Sequence, residues 1–308
     1  MILCCGEALI DMIPTPTAAG PDGFVPHSGG AVFNTAIALG RLGAQTGMLT
    51  GLSTDMFGQQ LKDSLAASHV DTSLAIRSDR PSTLAFVRLV DGHATYSFFD
   101  ESSAGRMLQP DDMPNLPHEI SALFFGGISL ACEPAADTYA ALLEREAQGR
   151  AVMIDPNIRP GFIKDIDRYR TRLGRMVARA DIVKVSDEDL NWLLPTPLPL
   201  SAKVSTLLGN GPSVVILTRG GDGATGFLSS GDEVHVDAVR ADVTDTVGAG
   251  DTFNAGFLAK LSELGRLTKP RLADLKREDL KQAMEHGAKV AAVTVTRSGA
   301  NPPWAGEL

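Results

Sequence analysis

The sequence predicts an α/β protein of three layers, α/β/α, with a central, mostly parallel sheet and a small β-sheet lid. Strand-like runs alternate with helical runs over most of the length. The strand runs are continuously apolar, as in a parallel sheet covered on both faces. One region breaks the alternation with a β-hairpin pattern.

In chain order the strand runs include Ile2–Cys5, Thr46–Leu52, Ala122–Gly126, Ala151–Ile154, Ile182–Val185 and Val214–Thr218. Helical spacing recurs over Asn34–Leu42, Gly58–Ser68, Ala135–Gln148, Asp167–Arg179 and Leu280–Thr296. Thr83–Val90 and His93–Phe99 flank Asp91-Gly92, with period-two patterning through Leu84, Phe86 and Arg88, then Tyr96 and Phe98. Asp-Gly between two such runs is a strong hairpin signal. Met12–Pro14 and Phe24–Pro26 add short strands, so a lid is expected from segments about 12–26 and 83–99. An ordinary edge hairpin is the plainer alternative. No internal repeat or long linker interrupts the chain, and residues 1–308 read as a single domain.

With 44% hydrophobic and 21% charged residues the chain can bury a large core. A net charge of −9 without a basic cluster excludes a nucleic-acid partner from the expectation. Met1 to Cys5 is apolar but lacks a basic flank, and Glu7 and Asp11 follow, so it reads as a buried strand and not a signal peptide. No run reaches the roughly 18 apolar residues that span a bilayer, so no membrane partner is expected. Cys4, Cys5 and Cys132 fit neither zinc spacing nor a disulfide framework. Buried, reduced thiols in the cytoplasm are expected.

The richest motif is Asp245-Thr246-Val247-Gly248-Ala249-Gly250-Asp251-Thr252-Phe253-Asn254. It runs from a small-residue turn into a helix whose apolar residues fall at Phe253, Phe257, Leu258, Leu261 and Leu264. Gly248, Ala249 and Gly250 leave first-turn N–H groups open to an anion, and the helix dipole adds positive charge there. Asp251 cannot serve to bind an anion. A carboxylate beside an anion hole makes sense if it takes a proton from a hydroxyl while charge builds on a neighbouring phosphoryl group. The alternative is that Asp251 caps the helix after a glycine turn.

A second motif, Gly29-Gly30-Ala31-Val32-Phe33-Asn34, precedes the first helix. Paired glycines let backbone approach a ligand, and Asn34 offers both donor and acceptor to sugar hydroxyls. Asp11 follows the first strand near its carboxyl end, where α/β sheets bind ligands. Asn34 would otherwise be a helix cap and Asp11 a solvated strand end. Gly221 to Gly226 matches G-x-G-x-x-G after a strand, but Phe227 to Val236 reads as a hairpin, so a dinucleotide-binding reading fails. No Gly-Lys pair exists for a Walker-type loop.

These segments together resemble the ribokinase-like (phosphofructokinase-B-type) sugar kinases over essentially the whole chain, and within them the bacterial fructokinases. Gly29-Gly30, Asn34, Gly40 and Gly43 look like the first family signature, and Asp245 to Phe257 like the second. Further likeness lies in Gly6 to Asp11, Ser53 to Gly58, Asp79 to Ala85 and Asp155-Pro156-Asn157-Ile158-Arg159-Pro160. Ribokinase itself usually shows Gly-Gly-Lys-Gly-Ala-Asn, and Ala31 with no following lysine demotes ribose.

The resemblance implies a ribokinase-like fold and ATP-dependent transfer to the 6-hydroxyl of D-fructose, with 2-keto-3-deoxygluconate as the rival substrate. A catalytically silent sugar or nucleotide sensor is the rival of another class. It casts Asp251 as general base, Gly248, Ala249 and Gly250 as anion hole, and Arg159 as a cation for sugar or phosphoryl. Asp11, Gly30, Asn34 and Phe98 would hold the sugar, with Phe86, Arg88 and Tyr96 as further lid candidates. Arg88 or Arg106 would supply the cation that a keto acid needs. Lys184, Ser186, Thr218, Gly220, Gly223, Gly248, Gly250 and Asn254 would line the nucleotide. Asp189, shorter than the family's glutamate by one methylene, would reach Mg²⁺ through water. Asp245 with carbonyls near Val247, Arg297 and Gly299 resembles a K⁺ loop. Small-molecule sugar and ATP are the implied partners, and homodimers through the lid occur in the family.

Overall fold

The first strand, β1 (Ile2–Cys5), shows why the sheet carries no polar alternation. Ile2 and Cys4 enter one apolar cluster, and Leu3 and Cys5 enter another on the opposite face. The computed structural model describes residues 1–90 and 93–308, with the side chains of residues 88–96 outside the description. The later strands are β2 (Leu9–Thr15), β3 (Gly23–Gly29), β4 (Thr46–Leu49), β5 (Gly51–Ser53), β6 (Val70–Asp71), β7 (Ile76–Ser78) and β8 (Leu84–Val90). After them come β9 (His93–Phe99), β10 (Ala122–Gly126), β11 (Ala151–Asp155), β12 (Ile182–Ser186), β13 (Val214–Thr218), β14 (Ala224–Leu228) and β15 (Glu233–Val236). The helices are α1 (Ala31–Arg41), α2 (Met56–Ala67), α3 (Ala135–Glu146), α4 (Ile166–Val177), α5 (Asp187–Leu193), α6 (Leu200–Gly209), α7 (Ala249–Glu263), α8 (Lys269–Ala273) and α9 (Arg277–Val295).

The central sheet has nine strands in the order β15-β14-β13-β12-β11-β10-β1-β4-β6, parallel from β6 to β13 and antiparallel at β14 and β15. Phe124 and Met153 lie with Leu61, Phe257 and Leu280, so α1, α2, α7, α8 and α9 cover one face. Phe125 and Ile154 lie with Leu142, Leu173 and Val204, so α3 to α6 cover the other. This is the three-layer α/β/α arrangement of the ribokinase-like fold. Truncating one of its buried phenylalanines, Phe257 for instance, is expected to cost about 3–5 kcal/mol.

Strand order reverses between β1 and β10: the chain builds outward from β1 to β4 and β6, then returns to place β10 on the other side. Ligands of open α/β sheets bind outside the carboxyl ends of strands at such a point. Directly above it stands the smaller sheet, β3-β2-β8-β9. Its strands reach further than the expected segments, over Leu9–Thr15 and Gly23–Gly29. The Asp91-Gly92 turn and the side chains of Arg88 and Tyr96 lie outside the described residues.

Two element boundaries are corrected, and the capping alternatives for Asn34 and Asp251 fall. Thr46–Leu52 is not one strand. The Thr50 carbonyl accepts from the Ile76 N–H at 2.9 Å, and β5 then pairs with β7 away from the central sheet. The first helix begins at Ala31 after an N-cap at Gly30, so Asn34 lies inside the helix and does not cap it. Gly248 is the N-cap of α7, so Asp251 sits in the first turn and not at the cap. The turn after Gly221 leads into the β14–β15 hairpin and no helix. Cys4, Cys5 and Cys132 are free and buried. No helix among the described residues is long and apolar enough to cross a membrane.

Candidate active site

At the strand-order reversal a cavity of about 830 Å³ opens between sheet and lid. Glu7, Gly127 and Ile128 form its floor where β1 and β10 end, and Gly30, Ala31 and Asn34 bring the start of α1 to it. The lid contributes Leu9, Asp11 and Phe98, and the far wall is Arg159, Lys184 and Gly248 to Asp251. Residues from the first and last quarters of the chain thus face one space.

Asp251 is 7% exposed. Burial pushes its carboxyl up to about 7, and the negative charges of Asp155 and Glu7 add to that. The Asn34 amide, donating from Nδ2 to Asp251 Oδ2 at 2.9 Å, and the Lys184 ammonium pull the other way. Gly248 adopts φ +78°, a left-handed conformation that turns the chain into α7, and a Cβ there would run into Ala300. Lys184 Nζ sits so close to the first turn that a Cβ on Gly250 would lie 3.2 Å from it. The site therefore combines a helix N-terminus, an ammonium group and a carboxylate poised near neutrality. Such a set can hold an anion and take a proton beside it.

Asp11 faces the cavity from β2, where burial pushes its carboxyl up to about 6. Phe98, opposite Ala85 and so in register with Asp11, packs edge-on against Phe162 of the core at 4.3 Å between centroids. Arg159 donates to the Ile158 carbonyl at 3.1 Å, and no carboxylate pairs with it among the described residues. Arg106 pairs with Asp100 at 2.9 Å and donates to the Glu133 carbonyl, so its charge is balanced.

On the nucleotide side Arg159, Lys184, Ser186, Glu188 and Asp189 line an adjoining cavity of about 340 Å³. Thr218 pairs with Ser186 in register, but Thr218, Gly220 and Gly223 line neither cavity. Asn254 departs from its expected place: it has no exposed surface, and its amide donates to Asp155 Oδ2 at 2.7 Å, beneath the cavity. Asp189, the third residue of α5, completes a capping box with the N-cap Ser186 and accepts from the Ile158 N–H at 2.9 Å and the Ser186 N–H at 3.4 Å, one on each oxygen. Asp245 accepts from the Val247 N–H at 3.0 Å and the Gly299 N–H at 2.8 Å, tying the loop before α7 to the segment after α9. The Arg297 side chain turns away to Glu307. No group of three or more His, Cys, Asp or Glu side chains converges as a metal site among the described residues.

Two site residues had no role assigned from sequence. Glu7 accepts from the Ala31 N–H at 3.1 Å and from Ser129 Oγ at 2.7 Å, joining α1 to the turn after β10. Burial raises its carboxyl above the ordinary range against those hydrogen bonds. Asp155 closes β11 beneath Lys184. The signal for both was an acid directly after an apolar strand, at the carboxyl edge of the sheet.

The model of the pfkB family carbohydrate kinases matches residues 1–305. The chain belongs to that family. It is a sugar kinase. A protein named fructokinase from Rhizobium leguminosarum bv. trifolii is 51% identical over 281 residues, 91% of this chain and 86% of its own. The crystal structure of fructokinase with bound ATP from Xylella fastidiosa superposes with a TM-score of 0.89 at 29% identity, covering 97% of this chain and 93% of that one. Aminoimidazole riboside kinase from Salmonella enterica, complexed with aminoimidazole riboside and an ATP analog, superposes with a TM-score of 0.81 at 26% identity, covering 97% and 94%. The fold alone therefore does not choose the sugar.

Proposed function

We propose that this sugar kinase is an ATP-dependent fructokinase, transferring the γ-phosphoryl of ATP to the 6-hydroxyl of D-fructose with Asp251 as general base. The place of Asp251 carries the reading: a carboxylate pushed up to about 7, inside the first turn of α7, lining the open cavity together with Lys184. The sugar oxygen attacks the γ-phosphorus, its bond to the β–γ bridging oxygen breaks, ADP leaves, and the hydroxyl proton passes to Asp251. The first-turn N–H groups, Lys184 and Arg159 would stabilise charge on the moving phosphoryl group. Asp11, Gly30, Asn34 and Phe98 would hold the sugar. Closing of the lid over them would exclude water.

Magnesium would come with ATP and neutralise its phosphates. Asp189, with each oxygen already accepting a backbone N–H, fits contact through water and not direct ligation. A K⁺ ion would draw on backbone carbonyls near Val247, Arg297 and Gly299. Use of ATP supports a cytoplasmic setting for the reaction. The lid would also join two copies: Phe24 and Phe99 are exposed on its outer face, each edge-on to Phe86.

Of the two cations named for a keto acid, Arg106 is already balanced by Asp100, which supports a neutral sugar, and the Arg88 side chain lies outside the described residues. The test is ADP release measured in parallel with D-fructose, 2-keto-3-deoxygluconate, D-ribose and no sugar. Fructose-dependent turnover well above the rest is expected. Turnover with the keto acid instead would move the specificity. Silence with all of them would favour a sensor.

A further inference from the structure

Three segments of the chain donate to the one carboxylate of Asp155. It is 2% exposed. Its Oδ1 accepts from the Asn157 N–H at 3.2 Å. Its Oδ2 accepts from Lys184 Nζ at 2.9 Å and from Asn254 Nδ2 at 2.7 Å. The loop after β11, the middle of β12 and the first turns of α7 therefore meet on this side chain. Asn254 lies three residues beyond Asp251, about one helical turn deeper.

The pair is oriented. Lys184 lines the cavity and Asp155 does not, so the positive end of the ion pair faces the ligand space and the negative end is hidden behind it. The ammonium lies against the first turn of α7, close to Gly250. Burial alone would push Lys184 down, but the charge of Asp155 and its hydrogen bond outweigh that, so the ammonium is held above the ordinary lysine range. A buried ion pair is weak evidence for stability, since well-packed apolar residues often replace one without loss. Its placement needs another explanation.

We propose that Asp155 is a positioning residue for phosphoryl transfer, holding Lys184 charged and locking it to α7 so that ammonium and helix N-terminus act on the same oxygens. This rests on the reading of that helix turn as the phosphoryl site. Without Asp155 the lysine could withdraw or lose its proton, and Asn254 would no longer fix the angle of α7 against β12.

The test compares Lys184→Met, Asp155→Asn and the double variant, using fructose-dependent ADP release and sugar binding by the full chain. Lys184→Met is expected to lose about 10²–10³-fold in kcat, as for removal of one stabilising donor. Asp155→Asn is expected to lose about tenfold or more with KM for fructose unchanged, and the double variant to be no slower than Lys184→Met. A double variant slower than Lys184→Met by the full Asp155→Asn factor would overturn the proposal, since the two residues would then act separately. If Asp155→Asn alone does not fold, the charge-balanced double variant still decides: kcat equal to that of Lys184→Met supports the proposal, and a lower value overturns it.

A pH profile adds a readout that a purely structural role would not move. Asp251 is faced by the Asn34 amide from α1, Asp155 from β11, Lys184 from β12 and Glu7 after β1. Loss of the Asp155 charge favours ionised Asp251, and loss of the Lys184 charge opposes it. If Asp155 is what keeps the ammonium charged and in place, the acid limb of Asp155→Asn is expected to coincide with that of the double variant, and a limb at clearly lower pH than the double variant's, the mark of an ammonium still in place, would overturn the proposal. Full activity in Lys184→Met, beside an inactive Asp251→Asn, would sink the role of Lys184 while leaving Asp251 as base.

Discussion

The Asn34 side chain donates to Asp251 Oδ2 at 2.9 Å across 217 positions of sequence. The residue after it, Thr35, places Oγ1 3.1 Å from the Asp251 carbonyl. The start of α1 therefore fixes both the side chain and the backbone of the residue that begins the chemistry proposed for α7.

Because Asp251 works ionised in that proposal, kcat/KM should rise with pH through about 7 and be lost below it. The Asn34 amide favours the ionised form. Asn34→Leu should therefore move the acid limb to higher pH. A limb that stays in place when Asn34 is changed would detach Asp251 from the titration.

Asp251→Asn keeps the shape and removes the base. Turnover is expected to fall by roughly two to four decades, with sugar binding largely kept in equilibrium titrations. The same variant should be the more stable protein above pH 7, where the wild type holds a buried charge. That gain should fade as pH falls from about 7 through the ordinary carboxylate value of 3.8, where both side chains are neutral. Thermal melts of the two proteins across pH check the sign.

Gly248→Ala and Gly250→Ala should separate. At Gly248 a Cβ would lie 2.6 Å from the Ala300 Cβ, in a left-handed conformation that itself costs about 1–2 kcal/mol. Its melting point should drop. At Gly250 a Cβ meets only the flexible end of Lys184 at 3.2 Å, inside a helix. That variant should keep its melting point and lose turnover, because the ammonium is displaced.

Phe98→Ala removes the edge-on contact with Phe162, which joins lid to core. KM for the sugar should rise and ADP release without sugar should increase, since water then reaches the phosphoryl group. ADP release that stays at the wild-type level without sugar would separate this contact from closure.

What was legible in the sequence was local. The turn Gly248 to Gly250 running into an amphipathic helix, and the alternation of apolar strands with helices, are written in consecutive residues. Asn34 was legible as a polar residue near a helix start, but its partner is on the far side of the sequence, so its bond to Asp251 was not. Asn254 shares the motif of Asp251, yet helical geometry turns it inward to Asp155. Asp189 looked like a metal-side acid, whereas two backbone N–H groups occupy it. The break at Thr50 depends on Ile76, and no pattern within Thr46–Leu52 reveals it.

The bond between Asn34 and Asp251 also sets an order of events on the ribosome. At about 5–20 residues per second, α7 emerges roughly 10–40 s after α1. For that interval Asn34 and Thr35 have no partner from α7, and the apolar side of α1 that α7 will cover stays open to chaperones. A message cut short before residue 248 would therefore yield a chain with its sugar-side residues present and its α1 surface uncovered, a substrate for proteolysis and not a slower kinase.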